Sequence, residues 1–199
     1  MAKWHDDLEV ARIRHRRDPT GGYAQLATVD GSGRPRCRTV VVRDVDAARD
    51  TLAVVFDARS AKHQELRATP WVEMCWYFRK TREQFRLHGR AHTGDASVRD
   101  AFWRRLSDAA RRTFSWPAPG APRDETAAPD PDDATPPPSS SPPPSSSPPP
   151  SSSPPPASFA VLLVHVHSVD HLELKETPHR RHQYDRDENG VWRRRPVHP

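Results

Sequence analysis

The chain has 199 residues, with 31 lysines and arginines against 26 aspartates and glutamates, for a net charge of +5 with the histidines neutral. That excess is modest and spread out, which suits anionic ligands such as phosphates and would also suit a nucleic acid. Cys37 and Cys75 stand alone and far apart, which excludes a disulfide framework or a metal knuckle, and no run approaches the roughly 20 apolar residues of a membrane span.

MAKWHDDLEV has no apolar signal region, so a cytoplasmic protein is expected. Residues 4–17 have the spacing of an amphipathic helix ended by Asp18-Pro19. GYAQLATVD (22–30) and PRCRTVVVRDV (35–45) read as two strands about a hairpin turn at Asp30-Gly31-Ser32-Gly33. TLAVVFD (51–57) is a third strand. Residues 60–70 follow as a short helix with Ser60 as N-cap and Pro70 as stop. WVEMCWYFR (71–79) and EQFRLHGRAH (83–92) form a second hairpin, in which Trp71, Trp76, Tyr77 and Phe85 are expected in the core or at a dimer interface.

Residues 97–114 are predicted as one helix, with Phe102, Leu106 and Ala109–Ala110 on one side and arginines on the other. PRDETAAPDPDD and the PPPSSS repeats after it can bury nothing, because proline lacks an amide donor and serine has little apolar surface. Residues 121–157 are therefore expected as a loop insertion acting as a spacer, inside a barrel built from residues 1–120 and 158–199. A strongly strand-like run at 159–175 and a last hairpin turning at Asn189-Gly190 complete the chain. About seven strands, few helices and short turns predict a closed antiparallel barrel.

The strand at 51–57 opens directly onto Arg59, Ser60 and Lys62 at the start of a helix. Charged donors, a hydroxyl and a helix N-terminus at the end of a strand are suited to a phosphate. Gln84, early in a later strand, supplies an amide able to both donate and accept. His165 and His167 share a strand face, with His171, His179 and His182 nearby. No cysteine or carboxylate cluster completes a recognisable metal spacing, so scattered, solvated histidines and no metal are expected.

RTVVVRDVD, FDARSAK, EQFRLHGRA, FSWPAPG and the C-terminal HLELKETPHRRHQYDRDENGVWRRRPVHP occur in that order. Together they resemble the pyridoxamine 5′-phosphate oxidase-like, FMN-binding split-barrel family. The resemblance implies a six-stranded antiparallel split β-barrel with flanking helices and a homodimer with FMN at the subunit interface. It further implies FMN contacts from Arg38, the Thr39–Val40–Val41 backbone, Phe56, Asp57, Ser60, Lys62 and Gln84. Ala61 replaces an arginine of the family pattern, and Arg59 is expected to restore that charge. Pro119 and Gly120 fall near the segment that approaches from the second subunit.

For the substrate, the resemblance implies Arg43, Trp103, Arg180 and His182. Arg43 takes the place of a lysine and Trp103 that of a tyrosine, and Arg111 or Arg112 is the candidate for a missing arginine. Leu172 and Tyr184 stand where the oxidases carry a tryptophan and an arginine against the flavin. The expected activity, resembling that of the oxidases of vitamin B6 metabolism, is an FMN-dependent oxidase of a small substrate, phosphorylated or not, with the flavin and no catalytic side chain carrying the chemistry. Two alternatives stand beside it: a flavin-binding or flavin reductase-like protein with another substrate, and a basic nucleic-acid-binding small barrel supported by RRLSDAARR and VWRRR.

Overall fold

The structure is a computed structural model and describes residues 3–122 and 153–199. Its elements are α1 (Lys3–Arg14), β1 (Tyr23–Val29), β2 (Pro35–Asp46), β3 (Thr51–Asp57), α2 (Ala61–Ala68), β4 (Trp71–Phe78), β5 (Glu83–Thr93), α3 (Ala96–Arg105), α4 (Asp108–Arg112), a 3-10 turn (Thr113–Ser115), β6 (Phe159–Glu173), β7 (Arg180–Arg186) and β8 (Trp192–Val197). Most of the expected 121–157 insertion lies outside the described residues.

All strands belong to one antiparallel sheet in the order β3-β2-β1-β4-β5-β6-β7-β8, and β3 also pairs with β6. Six strands thus close a barrel, and β7–β8 hang from it as a hairpin. The length of β6 makes this possible. Its first half, Phe159–His165, pairs with β3, and its second half, Ser168–Glu173, pairs with β7. β5 runs beside both halves and changes register between His88 and Gly89. Gly89 is required there: a Cβ would stand 2.3 Å from the His165 carbonyl oxygen. β1–β5 and β6 therefore close one barrel.

Alternation along the strands fills the core. Leu26, Val40, Val54, Met74, Trp76, Phe85, Leu87 and Val164 point inward and are buried. Fully burying each side chain of this size contributes roughly 1.5–3 kcal/mol. Trp4, Leu8 and Ala11, on one face of α1, cover one end of that core and are at most 1% exposed. Asp7 on the same helix accepts a 2.8 Å hydrogen bond from the Tyr184 hydroxyl.

A second, smaller core joins Ala53, Trp103, Leu106, Phe114, Phe159 and Val161. The single helix expected over 97–114 is broken here. α3 ends at Arg105, Leu106 is extended, and the Ser107 side chain caps α4 by accepting from the Ala110 amide. The break lets Leu106 and Phe114 reach the same cluster. No helix of the described residues is long and apolar enough to cross a membrane.

Candidate functional site

Two surfaces carry the predicted cofactor residues: a basic cluster where α2 meets the barrel, and the outer face of the sheet from β2 to β7. Parity along β2 separates them. Arg38 shares the inward parity of buried Val40 and Val42, whereas Thr39 and Val41 face outward. Arg38 therefore turns toward the barrel end covered by α2.

There the Arg38 guanidinium donates to Glu65 Oε2 at 2.7 Å, to Thr28 Oγ1 and to the Leu26 carbonyl oxygen. Thr28 also donates to Glu65 at 2.6 Å. Glu65 and Thr28 are buried. The sequence reading missed both; the available signal was a carboxylate beside Leu66 on the covered face of a short helix.

Ser60 precedes α2 but does not cap it with its side chain. Its hydroxyl donates to the Asp57 carbonyl oxygen at 2.6 Å and accepts from Lys62 Nζ at 2.9 Å. The first-turn amides of α2 thus keep no side-chain acceptor from Ser60. Lys62 lies over the Phe56 ring, 5.6 Å from its centre, and pairs with no carboxylate among the described residues. Burial, and then the neighbouring Arg38 charge, pull its pKa below the usual lysine range, against the opposing pull of Asp57 and Glu65. A half-buried ammonium lowered in this way favours an added anion. Lys62, Ser60, Arg38 and the start of α2 therefore fit a phosphate monoester.

Arg59, like Arg38, is paired with a carboxylate. Its guanidinium is held by Asp57 at 2.6 Å and by the Trp116 carbonyl oxygen at 2.9 Å. The Arg59 hydrogen bond in turn holds the Asp57 carboxyl below the ordinary range, against the effect of burial. These two residues tether the segment leading to Pro119 and Gly120, and Gly120 takes the left-handed φ of +83°. Ala61 itself lines an open hollow with Asp30, Arg36, Gln64 and Glu65.

On the outer face, cross-strand registers align Val41 with Tyr23, and Tyr77 with Gln84, Leu172 and Arg181. Gln84 is half-buried, Tyr23 and Tyr77 are exposed, and Trp71 is exposed at the far end of β4. This strip mixes aromatic and amide groups, and its Val41 end lies three residues along β2 from Arg38. Trp76 and Phe85 are core residues, 1% and 0% exposed.

The expected substrate residues do not converge within one chain. Arg43 is exposed beside the register shift between β2 and β3. Arg180 is exposed on β7 and paired with Glu176 at 2.6 Å. His182 meets Arg194 at 2.6 Å, and burial followed by the Arg194 charge lowers its pKa. β3 and β6 separate β2 from β7 one way round the barrel, and β1, β4, β5 and β6 the other.

Trp103 is 7% exposed between Phe114 and Phe159, and its indole N–H donates to the Ser153 carbonyl oxygen. In this placement Trp103 packs in the smaller core. Arg111 is likewise buried, donating to the carbonyl oxygens of Trp103 and Arg104. Tyr184 is 1% exposed and bonded to Asp7, so the residue at the family arginine position anchors α1.

The arginines that suggested nucleic-acid binding are largely engaged. Arg193 and Arg195 pair with Asp187 and Asp185, Arg105 pairs with Asp44, and Arg194 meets His182.

Comparison with known proteins adds to this geometry. The family model described as pyridoxamine 5′-phosphate oxidase, FMN-binding domain, matches residues 1–95. A pyridoxamine 5′-phosphate oxidase-related, FMN-binding protein from Nostoc punctiforme is 35% identical with a TM-score of 0.80, and the match covers 100% of this chain and 99% of that one. Pyridoxine/pyridoxamine 5′-phosphate oxidase 2 of Arabidopsis thaliana is 38% identical over 130 residues, covering 61% of this chain and 66% of that protein. Dihydrophenazinedicarboxylate synthase of Pseudomonas chlororaphis is 37% identical over 108 residues, covering 53% of this chain and 46% of that protein. The matches span between 42% and 66% of the length of such curated relatives.

Proposed function

The chain belongs to the pyridoxamine 5′-phosphate oxidase-like, FMN-binding split-barrel family, and from that membership we propose that it is an FMN-dependent oxidase of a small, phosphorylated amine or alcohol of the pyridoxamine 5′-phosphate type. The observation that carries the reading is Lys62, a half-buried ammonium without a carboxylate partner among the described residues, beside Arg38 and the Ser60 hydroxyl. Arg38, Ser60 and Lys62 hold the FMN phosphate in this reading. The Thr39–Val41 backbone and Gln84 meet the flavin along the outer face. Bound FMN supplies the capacity to accept a hydride and return electrons to oxygen.

Arg43, Arg180 and His182 are the proposed substrate contacts. They lie on strands held apart within one chain, which supports a homodimer whose second copy completes the site. The exposed Tyr23, Trp71 and Tyr77 supply apolar area for such an interface.

A second reading keeps the flavin and changes the substrate. It is favoured by the burial of Trp103 and Arg111, which leaves the expected substrate-phosphate side without two of its candidates, and by the relative named a dihydrophenazinedicarboxylate synthase. The test is a peroxide-release assay on the yellow, FMN-loaded protein. Turnover of pyridoxamine or pyridoxine 5′-phosphate supports the first reading. A fully loaded protein that releases no peroxide with either substrate contradicts it and leaves the second.

A further inference from the structure

Away from the basic cluster, where α1 crosses the ends of β5 and β6, three carboxylates surround one buried imidazole. His171 is 1% exposed and stacks on Phe85 with ring centres 4.0 Å apart. Its Nε2 stands 3.1 Å from Glu83 Oε2 and 3.9 Å from Glu173 Oε1. Its Nδ1 stands 3.8 Å from Asp7 Oδ2 and has no hydrogen-bond partner.

The sheet register forces part of this crowding. Glu83 and Glu173 are direct cross-strand partners, and His171 lies two residues back on the same face as Glu173. Like charges directly opposite each other destabilise a sheet. A protonated imidazole would balance only one of the three carboxylates, and Arg14 acts on Glu83 from the cavity side. Arg180 is opposite Glu173 across β6–β7 but is turned to Glu176 at 2.6 Å. A cavity of about 250 Å³ adjoins the cluster, lined in part by Asp7, Arg14, Thr81, Glu83, Glu173 and Lys175. It offers an ion both an approach and room for water ligands.

We propose that Glu83, His171 and Glu173 form a binding site for a divalent cation of the Zn²⁺ or Mn²⁺ class. The three ligand atoms lie within 4.8 Å of one another. Ligands held at about 2.0–2.2 Å from one ion stand about 3–3.6 Å apart, so Glu83 and His171 already have the required spacing. Glu173, with its side chain 32% exposed, has freedom to close the remainder. One imidazole with two carboxylates suits these borderline ions better than a soft one. The other ring nitrogen, Nδ1, faces Asp7 at 3.8 Å, and Asp7 is itself oriented by the Tyr184 hydroxyl at 2.8 Å. A carboxylate behind a metal-bound imidazole is a recurrent arrangement that fixes the tautomer. The inference is independent of the flavin reading and revises the expectation that the histidines hold no metal.

The test is equilibrium dialysis of chelator-treated, full-length, FMN-loaded protein against Zn²⁺, with metal quantified per chain. Expected is one retained Zn²⁺ per chain, weakened at least tenfold in Glu173→Gln and in His171→Gln and unchanged in His167→Gln. Glu173 is partly exposed, so its variant keeps the test valid if His171→Gln fails to fold. Zn²⁺ is also expected to raise the thermal unfolding midpoint of the wild type but not of Glu173→Gln. Absence of stoichiometric Zn²⁺, or equal retention by Glu173→Gln and the wild type, overturns the proposal.

Discussion

Replacing Lys62 by methionine separates cofactor binding from fold stability. Lys62 bonds only to the Ser60 hydroxyl and rests on Phe56, with no carboxylate partner among the described residues. Methionine keeps the packing and removes a charge that burial disfavours. The apoprotein is therefore expected to unfold at the same temperature or slightly higher. A charge-assisted bond to the FMN phosphate contributes about 1.5–3 kcal/mol, and about 1.4 kcal/mol is a factor of ten. FMN affinity should fall roughly 10- to 150-fold.

Arg38→Ala should behave differently, because Arg38 also neutralises Glu65, whose side chain is 9% exposed. Breaking a buried pair costs about 3–5 kcal/mol, and the 24% exposure of Arg38 places this one at the lower end. Adding Glu65→Gln should recover stability but not FMN affinity. The assay is titration of apoprotein with FMN by fluorescence quenching, alongside thermal unfolding of the apo forms. Retention of FMN by Lys62→Met within twofold of wild type would refute the reasoning.

Three further outcomes are expected. The lowered pKa of Lys62 in the apoprotein should rise when a phosphate is its neighbour. FMN affinity should then be flat at lower pH and fall as pH climbs from the apo pKa toward the bound one. Lys62→Arg should lose that dependence, so a slope identical in both proteins would count against Lys62. Tyr184→Phe removes the bond to Asp7 and should cost about 1 kcal/mol of stability in urea unfolding. It should leave FMN affinity unchanged, and a lowered affinity would show that Tyr184 reaches the cofactor. Gly89→Ala would drive a Cβ into the His165 carbonyl and should cost at least about 1–3 kcal/mol; a variant as stable as wild type would contradict the observed register shift.

The barrel was legible because its signals are local. Asp30-Gly31-Ser32-Gly33 and Asn189-Gly190 mark the hairpins, and alternation marks the strands. The family motifs supplied the order. The break after Arg105 was not legible, because Ser107 within an arginine-rich helical pattern caps a new helix only once Leu106 and Phe114 have a common core to enter. At the basic cluster, the protein partners of Arg38, Ser60 and Lys62 were not legible. Glu65 and Thr28 are 37 residues apart, and only the docking of α2 joins them. Arg59 likewise read as a free charge until Asp57 and Trp116 were seen to hold it. The burial of Trp103 was not legible either, because the position was read only from the tyrosine that the family resemblance places there, and its neighbours Phe114 and Phe159 are distant in the chain.

The most direct measurement is a crystal structure of the FMN complex. The phosphate oxygens are expected within hydrogen-bonding distance of Lys62 Nζ and the Arg38 guanidinium, with the flavin along the strip from Val41 to Gln84. A phosphate bound elsewhere, with Lys62 and Arg38 untouched, would contradict the account.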